Sequence, residues 1–255
     1  MLLKTKKGQV TLFIIFSLII FLGLIIYFIF STKIEKKEEK YVRENLREEF
    51  INCFSPLMKK ILKNYSEEGL FLNKEDYIEF EEKKVPYFCF SKEKERICER
   101  KGSHSIERIK EEIKEKSKEP INFCFDQIKE EKEKKGFFVE MKENSLDIEV
   151  LPTSIFFNLK KEVLLKKEKE EKFVKDFSFY LDFPLFDFLK ISNEIINEEV
   201  SCRCPEESCY ANIIRIMKEN EGYEISYFIK RVGEKVYTIK DNKENKLNFA
   251  IKNCY

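Results

Sequence analysis

The side chains with the most chemical capacity in this 255-residue chain are its eight cysteines: Cys53, Cys89, Cys98, Cys124, Cys202, Cys204, Cys209 and Cys254. Thiols in such number form disulfides, hold a metal, or exchange electrons as a reactive pair. Structural zinc asks for two Cys-x2-Cys-type knuckles, whereas "SCRCPEESC" runs Cys-x-Cys and then Cys-x4-Cys, and the remaining cysteines are dispersed. The expectation is therefore a disulfide framework made in an oxidising compartment. A four-thiolate zinc site built from the C-terminal group with Cys254 is the alternative, and a strained redox pair within "CRC" is a further one. "PYFCFSKEKERICER" places Cys89 and Cys98 on either side of a charged tip, as facing positions of a hairpin. No metal or other cofactor is expected.

Other chemistry is sparse. His104 is the only histidine, so no histidine-based zinc site is available, and its place in "GSHSIERI" reads as a helix N-terminus. Seven glycines form no phosphate-cradling loop. Asp182 and Asp187 are an acid pair that glycoside or metal chemistry could use, but in a chain so rich in carboxylates they read as surface groups. "NYS" at Asn64 is a glycosylation tripeptide. No catalytic residue is assigned.

Charged residues make up 37% of the chain, yet the net charge is +1. Runs such as "KIEKKEEKYVRENLREE" read as solvated helix faces. That balance speaks against a nucleic-acid partner, and no small-molecule ligand is inferred. Phenylalanine reaches 25 while tryptophan is absent, which leaves ample apolar volume for a packed core.

These residues must be positioned by something, and the most strongly patterned element comes first. Leu12 to Phe30 is a nineteen-residue apolar run with no charged side chain between Lys7 and Lys33, long enough for a helix to cross a bilayer core. Its far edge, "IIYFIFSTK", is bulky and lacks the small-residue site at which a secretory signal would be cut. Lys4, Lys6 and Lys7 flank it on one side; Lys33, Lys36, Lys37, Lys40 and Arg43 flank it on the other. Counting basic residues alone places the large domain inside. The cysteine pattern argues for the reverse, and the expected arrangement is a single-pass protein with its N-terminus inside and its domain outside.

Beyond the span the helix is expected to continue as a charged stalk with a sparse stripe of Tyr41, Leu46, Phe50 and Ile51. A helix is then expected to restart with Ser55 as N-cap and Pro56 at its first position, with Leu57, Ile61 and Leu62 inward. The next helix carries Ile106, Ile109 and Ile113 and stops before Pro120; another follows and closes at Gly136. A faint repeat relates "INCF", a helix, a glycine and "LFL" to "NFCF", a helix, a glycine and "FFVEM". It places Cys53 and Cys124 at equivalent helix starts, where they could be bonded to each other. After Gly136 the period becomes two: Phe137, Val139 and Met141, then Leu146, Ile148 and Val150, read as a hairpin turning at Glu143-Asn144-Ser145. "SIFFNLKKEVLLKK" and "KFVKDFSFYLDF" extend the sheet, with Phe173, Phe177, Phe179, Leu181 and Phe183 on one face. A helix with Leu185, Leu189, Ile195 and Ile196 inward follows, and 211–253 reads as a four-strand meander turning at "NEG", "VGE" and "DNKEN". The fold class is α+β, a helix-fronted antiparallel sheet stapled by disulfides.

"KKGQVT" running directly into the apolar segment resembles the class III signal peptide of archaeal type IV pilin-like proteins. That resemblance implies a prepilin-type peptidase cutting between Gly8 and Gln9 on the cytoplasmic face and leaving the helix as anchor. It covers residues 4 to about 30, and it departs from the family at Phe13, where pilins usually carry a glutamate that neutralises a neighbour's amino terminus. The broader layout also resembles uncharacterised single-anchor archaeal surface proteins. The implied organisation is a cytoplasmic leader at 1–8, a transmembrane helix at 9–31 embedded in the lipid bilayer, and a charged helical stalk at 32–52. An extracytoplasmic α+β region at 53–198 and a Cys-rich loop with a C-terminal β meander at 199–255 complete it. The expected function is a membrane-anchored surface protein, pilin-like, with a structural, adhesive or protein-interaction role beside other surface or pilus proteins. An envelope enzyme of thiol-redox or hydrolase type is the alternative.

Overall fold

A computed structural model of the chain describes residues 6–70, 76–91, 99–100, 106–168, 170–201 and 210–252. The first helix, α1, runs from Lys6 to Glu67 as one element of 62 residues, about 93 Å at ~1.5 Å per residue. The helix expected to restart at Ser55 is instead its direct continuation. Pro56 lies inside it, although an interior proline costs about 3 kcal/mol of helix stability. The compensation is tertiary: Leu46, Phe50, Phe54, Met58 and Leu62 form one unbroken buried stripe through the proline. Burial of Leu46 and Phe50 also places the last turns of the expected stalk within the core.

The same correction applies to α2, Ile106–Lys134, which passes through Pro120 where a stop was expected. Its buried stripe of Ile109, Ile113, Ser117, Ile121, Phe125 and Ile128 keeps the helical period on both sides of the proline. The two helices pack antiparallel, with Glu49 against Lys132, Cys53 against Cys124, Met58 against Ser117 and Tyr65 against Glu112. Both end alike. Leu70 N–H donates to the Tyr65 carbonyl and Gly69 N–H to that of Ser66; Phe137 N–H donates to Lys132 and Gly136 N–H to Glu133. Gly69 and Gly136 adopt φ of +76° and +80°, so each helix closes with the left-handed glycine cap that its sequence announces.

The strands form two sheets where one was expected. The first holds β1 (Tyr77–Phe80), β2 (Lys83–Phe90), β3 (Glu99–Arg100), β8 (Tyr223–Arg231), β9 (Glu234–Asp241) and β10 (Lys246–Lys252), ordered β1-β2-β10-β9-β8 with β3 on β2. It is mixed, because β10 lies parallel to β2. The second is antiparallel: β4 (Phe138–Val150), β5 (Ser154–Lys167), β6 (Glu170–Asp176) and β7 (Phe179–Asp182). The expected turn at Glu143-Asn144-Ser145 is a bulge within one thirteen-residue strand. The apolar phase is odd at Val139 and Met141 but even at Ile148 and Val150, and one extra residue in β4 absorbs that change while β5 keeps its phase. A register shift opposite Lys160 and Val163 has a similar result in β6, leaving Val174 buried and Phe173 39% exposed rather than inward.

Two further helices complete the domain. α3 (Leu185–Ser201) buries Leu185, Leu189, Ile195 and Ile196 as expected. α4 (Tyr210–Glu219) replaces the first strand of the expected meander, because Ile213 and Ile216 recur at a helical spacing and are buried. The remaining three strands, and turns at all three expected places, are present.

Candidate functional site

Three regions hold the residues with functional potential. The first is the apolar part of α1. All twelve residues from Phe16 to Tyr27 are exposed, with Phe16 at 64%, Phe21 at 64% and Tyr27 at 70%. A helix that is apolar on every side has no face suited to water. Among the described residues no helix is long and apolar enough to cross a membrane, and within the apolar run side chains are described only for these twelve. Gly8 and Gln9 lie in the opening turns of α1.

The second region is the contact of α1 with α2. Cys53 and Cys124 are joined by a disulfide with Cα atoms 5.8 Å apart. The pairing suggested by the repeat is thus present, although both cysteines lie inside their helices and not at helix starts. Phenylalanines surround it: Phe50 stacks on Phe125 at 4.6 Å, and Phe54 meets Phe157 edge-on at 5.5 Å. Cys89 is also disulfide-bonded, and no described cysteine is a free thiol. The expected hairpin pairs β2 with β3 antiparallel, but the residue facing Cys89 is Arg100 and not Cys98. Cys98, Cys202, Cys204, Cys209 and Cys254 lie outside the described residues, as does His104.

The third region was not anticipated. At the start of β9, Lys235 is 4% exposed and its Nζ donates to both carboxylate oxygens of Glu199 on α3, at 2.9 and 3.3 Å. Tyr237, 1% exposed, donates its hydroxyl to the same carboxylate. On the opposite face of β9, Glu234 accepts a hydrogen bond from Tyr87 and pairs with Lys252 at 3.3 Å. Burial, followed by the charge of Glu234, pushes the Tyr87 hydroxyl up to about 12. Two similar pairs occur elsewhere: Tyr65 with Glu112, and Tyr223 with Asp187 at 2.7 Å. Both hydroxyls are raised, by burial first and then by the hydrogen bond to the carboxylate. The signal for the Lys235 cluster was present in the sequence. Lys235 shares the inward phase of Tyr237 and Ile239, and Glu199 stands one helical turn beyond Ile195 and Ile196.

A buried ammonium locked onto one carboxylate is a structural partner and is not presented to a substrate. Asp182 and Asp187 do not converge: Asp182 pairs with Lys243 at the surface and Asp187 accepts from Tyr223. Among the described residues no group of three or more histidine, cysteine or acidic side chains is arranged to hold a metal ion. No family model, curated protein or solved structure matches this chain.

Proposed function

We propose that this chain is a single-span, membrane-anchored surface protein of pilin-like type, whose outer α+β domain serves a structural, adhesive or protein-interaction role. The observation that carries the proposal is α1 itself. One helix is exposed and apolar on every side from Phe16 to Tyr27, yet buries Leu46, Phe50, Phe54 and Met58 in the domain core further along. Lipid is the medium that suits the first part, and the intervening turns from Phe30 to Leu46 hold the domain about 24 Å away at ~1.5 Å per residue. The Cys53–Cys124 disulfide favours an oxidising compartment for the domain, which outweighs the small excess of basic residues on the stalk side. The motif at Gly8 and Gln9 supports processing by a prepilin-type peptidase. Phe13 disfavours a homopolymer, because it stands where a pilin's glutamate would neutralise the new amino terminus in a helical bundle.

The test combines protease added to whole cells with mass spectrometry of the mature N-terminus. The expected result is degradation of the chain beyond about residue 33, a protected span, and an N-terminus at Gln9. Complete protection until lysis overturns the orientation; an intact Met1 overturns the processing.

A further inference from the structure

We propose that the rim of the six-stranded sheet at β8 is a self-association surface, and that its occupant is β8 of a second copy of this chain paired antiparallel about Tyr227. In the sheet order β8 is terminal, and its outer edge pairs with no strand among the described residues. Such an edge is a template for another strand. Its neighbourhood is apolar and solvent-facing: Phe228 is 54%, Ile229 50% and Val232 79% exposed.

The identity of the partner follows from the sequence of β8, "YEISYFIKR". With the two-fold axis at Tyr227, Ile225 of each copy falls opposite Ile229 of the other, and Glu224 falls opposite Lys230, the residue at which β8 shifts register against β9. The ion pair and the isoleucine pair therefore each occur twice, and opposite charges and β-branched pairs are the combinations that stabilise antiparallel strands. Shifting the axis by one residue in either direction loses both matches. The pairing is isologous, so it closes at two copies and builds no filament.

The existing contacts of these side chains are few. Glu224, 73% exposed at its side chain, pairs loosely with Lys240 at 3.8 Å. Lys230 reaches the Glu79 carbonyl at 2.5 Å, and Phe228 rests on Phe80 at 5.9 Å. All are side-chain contacts. The other long rim, β4, offers no such match: its register shift falls mid-strand, between Met141 and Asn144, whereas that of β8 falls towards its end, between Ile229 and Arg231.

Charge exchange tests the proposal on the full-length chain in detergent micelles, with sedimentation velocity reading the oligomeric state. The wild type is expected to be a concentration-dependent dimer. Glu224→Lys and Lys230→Glu should each weaken it about tenfold or more, since each sets like charges together twice. The double exchange Glu224→Lys/Lys230→Glu should restore it. Because both side chains are exposed, neither single change should affect folding, and circular dichroism checks this. A wild type that stays monomeric overturns the proposal. So does a dimer that the single changes leave untouched, which would place association on α1, and so does failure of the double exchange to recover the dimer.

Discussion

The two sheets are held to the rest of the molecule by opposite means. Around the four-stranded sheet the cement is apolar and covalent: phenylalanines at Phe50, Phe54, Phe125, Phe157 and Phe179 interlock, and the Cys53–Cys124 bond staples the two helices that carry three of them. Around the six-stranded sheet, stacked rings at Phe88, Tyr237 and Phe249 share the interior with charges, Glu199 with Lys235 on one face of β9 and Glu234 with Lys252 on the other. Apolar packing tolerates exchange of one large side chain for another, while a buried ion pair costs desolvation and is stable only when every member is present. Apart from the Glu49–Lys132 pair between its two helices, the first sheet should therefore resist chemical change at single polar sites, and the second should be sensitive to them.

The largest expected effect removes the staple. Cys53→Ser/Cys124→Ser should cost about 4 kcal/mol by chain entropy, given the 71-residue separation of the two cysteines. Urea unfolding of the domain measures this, and a loss below ~1 kcal/mol would assign the helix pair's stability to the phenylalanines alone. In the native chain, intact mass with and without reductant should differ by at least six hydrogens, corresponding to three disulfides. A smaller difference, or tightly bound zinc, would remove the disulfide framework as an explanation for the remaining cysteines.

Next comes the ion pair. Lys235→Met should cost about 3 kcal/mol because it strands the Glu199 carboxylate, whereas Lys235→Met/Glu199→Leu should recover most of that loss. If the double variant is as unstable as the single one, the pair contributes more than mutual neutralisation. Gly69→Ala follows at about 2 kcal/mol. A Cβ there would lie 2.5 Å from the Pro86 ring and 2.9 Å from the Asn248 carbonyl, at a φ of +76°, which would part α1 from the six-stranded sheet. Gly136, with a φ of +80° but only the Lys167 side chain within 4.0 Å, should lose less.

The smallest effect is alkaline. Tyr87 and Tyr223 both lie in the six-stranded sheet, and their hydroxyls are raised above the ordinary tyrosine value of 10.0. A raised value means that the folded state prefers the neutral phenol, so this contribution is intact below about pH 10 and declines as pH rises above it. For Tyr87 the decline ends near 12. Absorbance titration of tyrosinate should show these two groups ionising above the ordinary tyrosine value of 10.0, and urea midpoints should fall over the same range. Ionisation of Tyr87 and Tyr223 at the ordinary value would show that these phenol–carboxylate pairs do not form.

Much of the fold could be read before the structure because it depends on near neighbours. The helical period of α3, the alternation of β5 and the hairpin formed by β8 and β9 are local patterns, and glycine at 69 and 136 ends a helix whatever surrounds it. The errors share one cause. Pro56 and Pro120 are helix breakers by local rule, Glu143-Asn144-Ser145 is a turn by local rule, and "ANIIRIM" alternates well enough to pass for a strand. In each case a distant surface decided the outcome: the buried stripes of α1 and α2 keep their phase across the prolines, and the unbroken partner β5 turns an apparent loop into a bulge.

What the sequence by itself determined is the set of elements with a strong period and a clear end, together with the long apolar run, since these follow from the geometry of one helix or one strand. Tertiary structure alone decided which elements meet. It divided the strands between two sheets with β10 parallel to β2, carried α1 and α2 through their prolines, and brought Lys235 to Glu199. The reason is physical: periodicity records which face of an element is buried, but the partner that buries it is chosen by shape and charge across the folded chain.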